Sequence, residues 1–307
     1  MTAEPNSVHS RESGNPGAKD WVPASVGTNG EVVPFAADLR AIRRLAGVLP
    51  GDWPIAVNGI RVAASIRPSK VVIEGGDETP ITMPLTAFQV VYRDCTVMID
   101  SGMDRETHDS FSTPDRREPY FPEAFAQVQK ALADARMIVL THFHADHAAG
   151  VTQAENFDVL AAKTFVTVET ARCLLNSPHK PHLRMEAERI NQFVIFDYGD
   201  YYPIAPGIVL IKAAGHSADH QMLYIALQSG REILHSVDVG WVLDNIVKVK
   251  GKAAPWVKED KGAVLGQLRW LNNVYSNERN ISLLVTHDDA LIDAAIKNGT
   301  IGGELKL

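Results

Sequence analysis

The segment best suited to chemistry is an HxHxDH string that contains His142, His144, Asp146 and His147. It directly follows the apolar run of residues 137–140, which predicts a buried strand. The end of that strand would bring three imidazoles and one carboxylate toward one point, and these groups are ligands that zinc and similar divalent ions accept. Because such a string rarely occurs by chance, it predicts a metal site.

The elements around this motif mix strands and helices. Apolar runs predict strands at 71–73, 88–92, 96–99, 137–140, 208–211, 222–226, 232–237 and 281–285, with 93–95 as the turn of a hairpin. Helical spacing predicts helices at 122–135, 170–176, 183–193, 261–275 and 290–297, and a short amphipathic helix within 35–45. The chain shows no repeat and no linker after residue 35. We therefore expect a single α/β domain over residues 31–307, preceded by a flexible tail over 1–30.

Composition and charge exclude several classes of protein. The 307 residues are 45% hydrophobic and 22% charged, which is typical of a globular chain. The formal net charge of −7 provides no overall basic field for nucleic acid or an anionic membrane. No apolar run reaches the roughly 18 residues of a membrane span, and residues 1–30 lack an apolar signal core, so we expect a cytoplasmic protein. Cys95 and Cys173 are too few for a disulfide framework and are expected to be buried or half-buried thiols.

The HxHxDH motif resembles the metal-binding motif of the metallo-β-lactamase superfamily. Asp100-Ser101-Gly102, at the end of the predicted hairpin, is similar to the Asp-[Thr/Ser]-Gly turn of that superfamily. The resemblance extends from about residue 85 to about residue 290. It implies an α/β fold of the αββα four-layer sandwich type, the metallo-β-lactamase fold.

The resemblance also implies two divalent metal ions per chain, with zinc as the expected ion. Three further ligands are implied downstream, namely His216 in a Gly-His-Ser turn, Asp238 after the strand at 232–237, and His287 after the last strand. The implied sets are His142, His144 and His216 for one ion, and Asp146, His147 and His287 for the other, with Asp238 bridging both. Such a dinuclear centre holds a hydroxide near neutral pH for attack on a carbonyl, with Asp146 as the proton shuttle.

Ligand identity narrows the branch of the superfamily further than the fold does. Asp238 argues against the antibiotic-degrading β-lactamases, and His144 argues against the flavodiiron proteins. The pattern most resembles the N-acyl-homoserine lactonases, which implies a small-molecule lactone or other ester as substrate and makes a homodimer an expectation. A glyoxalase II-like thioesterase, a phosphodiesterase and a non-catalytic metal-binding protein are the alternatives. The isolated Lys297 and Lys306 do not match the basic cluster of the thioesterases.

Several residues near the motif have two interpretations. Many lactonases carry a Tyr three residues after the bridging Asp, where this chain has Trp241. Trp241 is predicted to contact substrate or line an acyl pocket, with core packing as the alternative. Asp100 is implied to support the ligands, and His220 either orients a ligand or is an ordinary buried histidine. The remaining histidines are expected to pack in the core at His235 and to lie in surface loops at His108, His179 and His182.

Overall fold

The computed structural model describes residues 31–113 and 116–307, and the predicted tail over 1–30 lies outside these residues. A first sheet has six strands in chain order: β1 Ala56–Pro68, β2 Pro80–Val91, β3 Thr96–Ile99, β4 Met137–Val139, β5 Thr164–Thr167 and β6 Val194–Phe196. Its first three strands pair antiparallel, and β3 to β6 pair parallel. Parallel pairing aligns the carboxyl ends of β3 and β4, the strands that precede Asp100 and the HxHxDH motif.

A second sheet has five strands: β7 Tyr201–Ala205, β8 Ile208–Lys212, β9 Gln221–Ala226, β10 Glu232–Val237 and β11 Ile281–Val285. Its strands are antiparallel except for the parallel pair β10 and β11. The helices are α1 Leu39–Ala46, α2 Ser69–Val72, α3 Arg105–Asp109, α4 Pro122–Asp134, α5 Ala145–Thr152, α6 Phe157–Ala161, α7 Val168–Asn176, α8 Ala187–Ile190, α9 Leu243–Lys248, α10 Lys261–Asn277 and α11 Asp289–Lys297.

The two sheets pack face to face with helices on both outer faces. Alternation along β3 shows the layering, because Val97 and Ile99 pack between the sheets whereas Met98 packs under the helices α4 to α7. The outer face of the second sheet is covered by α1, α9 and α10. Strands buried on both faces read as continuous apolar runs, which is why they could be found in the sequence. The αββα four-layer sandwich is confirmed.

Most predicted elements are confirmed, with ends that differ by a few residues, except that β2 begins at Pro80, well before the strand expected at 88–92. The strand expected at 71–73 is wrong, because Ser69–Val72 forms the short helix α2. The chain reverses here between β1 and β2, and the Ser69 N–H donates to Thr79 O at 2.7 Å across the turn. Val72 and Ile73 are buried in this turn, so their apolar character reflects burial and not a strand. The helix expected at 183–193 contains only α8, preceded by a 3-10 turn at Pro181–Leu183.

Residues 31–85 include features that the sequence left unexplained. The short amphipathic helix is α1, which buries Ile42 and Ala46 against the outer face of the second sheet.

Cys95 and Cys173 are half-buried, as expected. Within the described part of the chain, none of the helices has the length and apolar character needed to cross a bilayer.

Of the three histidines expected in surface loops, one is buried and two are exposed as predicted. His108 is buried in α3 with its ring 5.1 Å from that of Tyr120, so its prediction is wrong. Asp104 caps α3 by accepting from the Thr107 N–H, and the helix turn directs His108 inward. His179 does lie in an exposed connection, but its ring contacts that of His144 at a centroid distance of 4.5 Å. His182 is exposed, as predicted.

Candidate metal centre

All seven predicted ligands lie at the ends of strands from both sheets. The HxHxDH motif follows β4 and runs into α5, so that His144 precedes the helix and Asp146 and His147 lie in its first turn. The turn between β8 and β9 contributes His216. Asp238 follows β10, and His287 follows β11. These ends converge and form two adjacent clusters of ligand-type side chains.

The first group, called here the three-histidine cluster, consists of His142, His144 and His216. Nε2 of His142 and Nε2 of His216 each lie 3.0 Å from Nδ1 of His144. Burial lowers the pKa of His144 to about 3 and holds the pKa of the other two imidazoles well below the ordinary value. All three rings are therefore neutral at physiological pH, which is the form that binds metal ions.

The second group, called here the mixed cluster, consists of Asp146, His147, Asp238 and His287. Nε2 of His147 lies 3.4 Å from Oδ1 of Asp238 and 3.5 Å from Oδ2 of Asp146. Nε2 of His287 lies 3.2 Å from Oδ2 of Asp238. That same oxygen lies 3.4 Å from Nε2 of His216 in the three-histidine cluster. Asp238 is thus the carboxylate between the two clusters, which is the position expected for a bridging ligand.

In the mixed cluster, neighbouring charges shift the pKa values in the direction opposite to the effect of burial. Burial lowers the pKa of His147, but the carboxylates of Asp146, Asp100 and Asp238 outweigh it and raise that pKa well above the ordinary value. Burial would raise the pKa of Asp238, but His287 and His147 hold it well below the usual range. The carboxylates are therefore ionised and able to bind a cation.

Hydrogen bonds on the far side of two rings select which nitrogen faces the mixed cluster. Nδ1 of His147 donates to Oδ2 of Asp100 at 2.7 Å, and Nδ1 of His287 donates to Pro84 O at 2.7 Å. With a cation bound, each ring would be a neutral imidazole with one N–H, which stays on Nδ1, so Nε2 would present a lone pair to the centre. This is the arrangement typical of histidines that bind metal ions.

The residues present fit a pair of cations. Nε2 of His147 and Oδ1 of Asp238 are buried, and neither has a hydrogen-bond partner among the residues that the structure describes. Unsatisfied buried polar atoms are costly in a folded protein, and a bound cation would satisfy both. In the three-histidine cluster, Nδ1 of His144 faces two other imidazole nitrogens, an arrangement that a shared metal ion explains better than hydrogen bonds do.

Asp100 and His220 belong to neither cluster but form hydrogen bonds to residues that do. The Asp100 carboxylate accepts from the Thr141 N–H at 2.8 Å and the Thr141 hydroxyl at 2.9 Å, besides His147. Nδ1 of His220 donates to Ala213 O, and its Nε2 accepts from the Asp238 N–H, both at 3.1 Å. His220 therefore lies outside both clusters and holds the backbone of Asp238 in place.

Trp241 lies beside the centre but is largely buried. Its ring centroid is 6.5 Å from that of His287, and only 8% of the residue is exposed. It packs in a small apolar cluster that includes Val72 and Met83. Packing is therefore part of its role, and the substrate contact stays a prediction. His235 packs edge-on against Phe88 at a centroid distance of 4.8 Å, in agreement with its predicted core position.

Sequence reasoning missed two buried charges next to the ligands. Nζ of Lys252 donates to Asp238 O at 2.6 Å and lies 2.8 Å from Oε2 of Glu259. Both residues precede α10 in a polar connection, where charged side chains are normally exposed. The sequence carries no periodic signal that would have singled them out, because their burial depends on contacts with a distant strand end.

Known proteins with a similar sequence include metal-dependent hydrolases, in agreement with a metal centre at this position. Residues 84–156 match the family model of the metallo-beta-lactamase superfamily. The chain is 26% identical over 161 residues to the N-acyl homoserine lactonase AiiA of Bacillus thuringiensis subsp. kurstaki, which covers 50% of this chain and 56% of the relative. The chain thus spans about half the length of that relative.

Two solved structures share the fold. An N-acyl homoserine lactone hydrolase with the product N-hexanoyl-L-homoserine at its catalytic metal center matches with a TM-score of 0.62 and 16% identity, covering 79% of this chain and 96% of that one. The dizinc quorum-quenching lactonase AidC matches with a TM-score of 0.52 and 13% identity, covering 75% and 86% of the two chains. These structural matches show the fold, and the family model and the sequence relative show that the chain is similar to proteins of the metallo-β-lactamase superfamily, N-acyl homoserine lactonases among them.

Proposed function

We propose that this chain of the metallo-β-lactamase superfamily is a metal-dependent hydrolase that opens lactone rings of the N-acyl-homoserine lactone type. The observation that carries the proposal is the convergence of seven ligand-type side chains into two clusters joined by Asp238. We choose lactones as the substrate class because the chain is similar to N-acyl homoserine lactonases over 161 residues.

The three-histidine cluster would hold one divalent ion and the mixed cluster a second, with Asp238 shared by both. Zinc is the expected ion, since imidazole and carboxylate are among its ordinary ligands. Two bound ions would polarise the ester carbonyl and lower the pKa of a water molecule toward neutrality.

Asp146 is the carboxylate best placed to move protons. Its side chain is 17% exposed, whereas that of Asp238 is 4% exposed, so Asp146 is the one that reaches toward solvent and substrate. His147 and His287 lie 3.5 and 3.7 Å from its Oδ2. Asp146 would accept the proton released when water adds to the carbonyl carbon, and it would deliver that proton to the departing ring oxygen.

Ring opening releases a proton, so the test follows the acidification of a weakly buffered solution with a pH indicator. Zinc-loaded protein is offered a long-chain N-acyl-homoserine lactone, a thioester and a phosphodiester. We expect turnover of the lactone, with loss of activity after treatment with EDTA and recovery when zinc is restored. Protein that holds two ions per chain yet hydrolyses only the thioester or the phosphodiester would disprove the lactone assignment.

His144 provides the matching substitution. His144→Ala removes the nitrogen that faces both His142 and His216, and we expect it to lower kcat/KM more than about 100-fold, beyond the effect typical of residues that only support a ligand. His182→Ala is the control, because His182 is exposed and belongs to neither cluster. Equal activities of the two variants would contradict the proposal.

A further inference from the structure

A buried ion pair lies directly behind the metal-binding side chains. Nζ of Lys252 and Oε2 of Glu259 are 2.8 Å apart, and their side chains are 0% and 2% exposed. Removing two charges from water is expensive, and an ion pair of this kind often adds no net stability over apolar residues of similar volume. Its position is therefore better explained by what the two charges contact.

Each member of the pair contacts a different part of the centre. Lys252 donates to Asp238 O at 2.6 Å and to Val239 O at 3.1 Å, and so holds the backbone that carries the shared carboxylate. Oε2 of Glu259 lies 3.4 Å from Nδ1 of His216. Nε2 of the same ring lies 3.0 Å from Nδ1 of His144 and faces the three-histidine cluster.

The chemistry of the imidazole decides which of these contacts operates when an ion is bound. Nε2 of His216 can bind a cation only without a proton, so the single proton of the neutral ring must be on Nδ1. Lys252 lies 3.3 Å from that nitrogen, but an ammonium can only donate. The Glu259 carboxylate can accept the Nδ1 proton. His147 with Asp100 already shows this relation of carboxylate and ring in the mixed cluster.

We infer that Glu259 and Lys252 are positioning residues of this centre. Glu259 accepts the Nδ1–H of His216 and so directs Nε2 at the ion of the three-histidine cluster, while Lys252 holds both Glu259 and the backbone at Asp238. A carboxylate on the far nitrogen also makes the imidazole a stronger ligand. The inference rests on the metal binding of the proposed function, but not on the identity of the substrate.

The test measures the affinity of two variants for Zn²⁺. Lys252→Met with Glu259→Leu removes both buried charges at similar volume, so the fold should keep most of its stability while the acceptor for His216 is lost. Glu259→Gln is measured beside it, because an amide oxygen is a weaker acceptor and the single change is the more conservative one. Metal-free proteins are titrated with Zn²⁺ against a chromophoric chelator, and visible spectra are recorded with Co²⁺ bound.

We expect one of the two ions to bind about 10- to 100-fold more weakly in the double variant and about 10-fold more weakly in Glu259→Gln, with an altered Co²⁺ spectrum. Glu78→Gln is the control, because Glu78 forms an exposed ion pair with Lys70, and it should bind both ions as the wild type does. Asp100→Asn should weaken the other ion, since Asp100 supports His147.

Wild-type affinity for both ions in either folded variant would overturn the inference. Urea unfolding of the same samples separates this outcome from a loss of structure. If the wild-type protein binds two ions and hydrolyses no lactone, the proposed function fails while the role of Glu259 and Lys252 stands. If it hydrolyses lactones and the variants keep both affinities, only the role of this pair is disproved.

Discussion

Each ring of the mixed cluster is held by a hydrogen bond on the side away from the centre, and the partners are of different kinds. A carboxylate serves His147 and a backbone carbonyl serves His287, with both distances at 2.7 Å. Such bonds fix the orientation of each ring before an ion binds, so that Nε2 faces the centre and Nδ1 keeps its proton. At the scale of single residues, the site is therefore a set of ligand-type side chains whose orientation depends on neighbours far away in sequence.

Asp219 provides a residue-scale prediction about pH. Its carboxylate is buried, accepts from the Ser217 hydroxyl through one oxygen, and has no partner at the other among the described residues. Burial raises the pKa of Asp219 to about 6 from 3.8. The folded state thus binds more protons than the unfolded state between these values, and its stability falls as the pH rises through this range.

Asp219→Asn cannot ionise and should lose that part of the pH dependence. Relative to the wild type, the free energy of unfolding of the variant should increase by about 2 kcal/mol between about pH 4 and pH 7. Urea unfolding of both metal-free proteins across this range measures it. Parallel stability curves for the two proteins would show that the carboxyl group titrates at its ordinary pKa.

At the scale of elements, the centre depends on how α5 docks against the end of the β2–β3 hairpin. The Ser101 N–H and hydroxyl both donate to His147 O at 2.8 Å, and the Gly150 N–H donates to Gly102 O at 2.9 Å. Gly150 permits this approach, because a Cβ at that position would lie 2.0 Å from Ser101 O. The helix that carries Asp146 and His147 thus lies directly on the turn that carries Asp100.

Gly150→Ala should separate these two elements. We expect a loss of stability of about 3 kcal/mol, since the obstructing atom is backbone and cannot rotate away. The ion of the mixed cluster should bind more weakly as well, because the bond between Asp100 and His147 crosses this contact. Gly199→Ala is the matched control, with nothing within 4 Å of its added Cβ. Thermal unfolding and zinc titration of both variants provide the measurements, and equal results for the two would refute this account of the docking.

At the scale of the whole molecule, the ligands come from both sheets. The HxHxDH motif extends from the first sheet, whereas His216, Asp238 and His287 follow strands of the second. Bound ions would therefore join two halves of the sandwich. A ligand that binds only the folded state stabilises it by about 2.7 kcal/mol when its concentration is 100 times its Kd.

Zinc-loaded protein should accordingly unfold in one cooperative transition at a midpoint at least about 5 °C above that of metal-free protein. The single transition also tests the expectation that residues 31–307 form one domain. Calorimetry with and without EDTA provides the comparison, and His144→Ala should show a smaller shift because one cluster is impaired. Two separate transitions would contradict the expectation of a single domain. An unchanged midpoint on adding zinc would contradict the expectation that bound ions join the two sheets. The predicted homodimer is tested independently by sedimentation velocity.

The sequence by itself determined the ligand types, their order and the strands that precede them. Strands buried on both faces appear as uninterrupted apolar runs, and a ligand at a strand end can be read from the residues that follow such a run, as at Asp238 and His287. The helix α5 was not predicted, because its Ala-rich and Gly-containing sequence has no apolar periodicity and its stability comes from docking.

Only the tertiary structure decided how these groups are held. Glu259 contacts His216 and His179 contacts His144, and both contacts join segments that are distant along the chain. The burial of Lys252 depends on its hydrogen bond to the strand end at Asp238. Local sequence patterns report which face of an element is apolar, but they contain no information about which distant polar atom completes a hydrogen bond. The types and order of the side chains that converge at the site could therefore be predicted from sequence, whereas the residues that hold them in place could not.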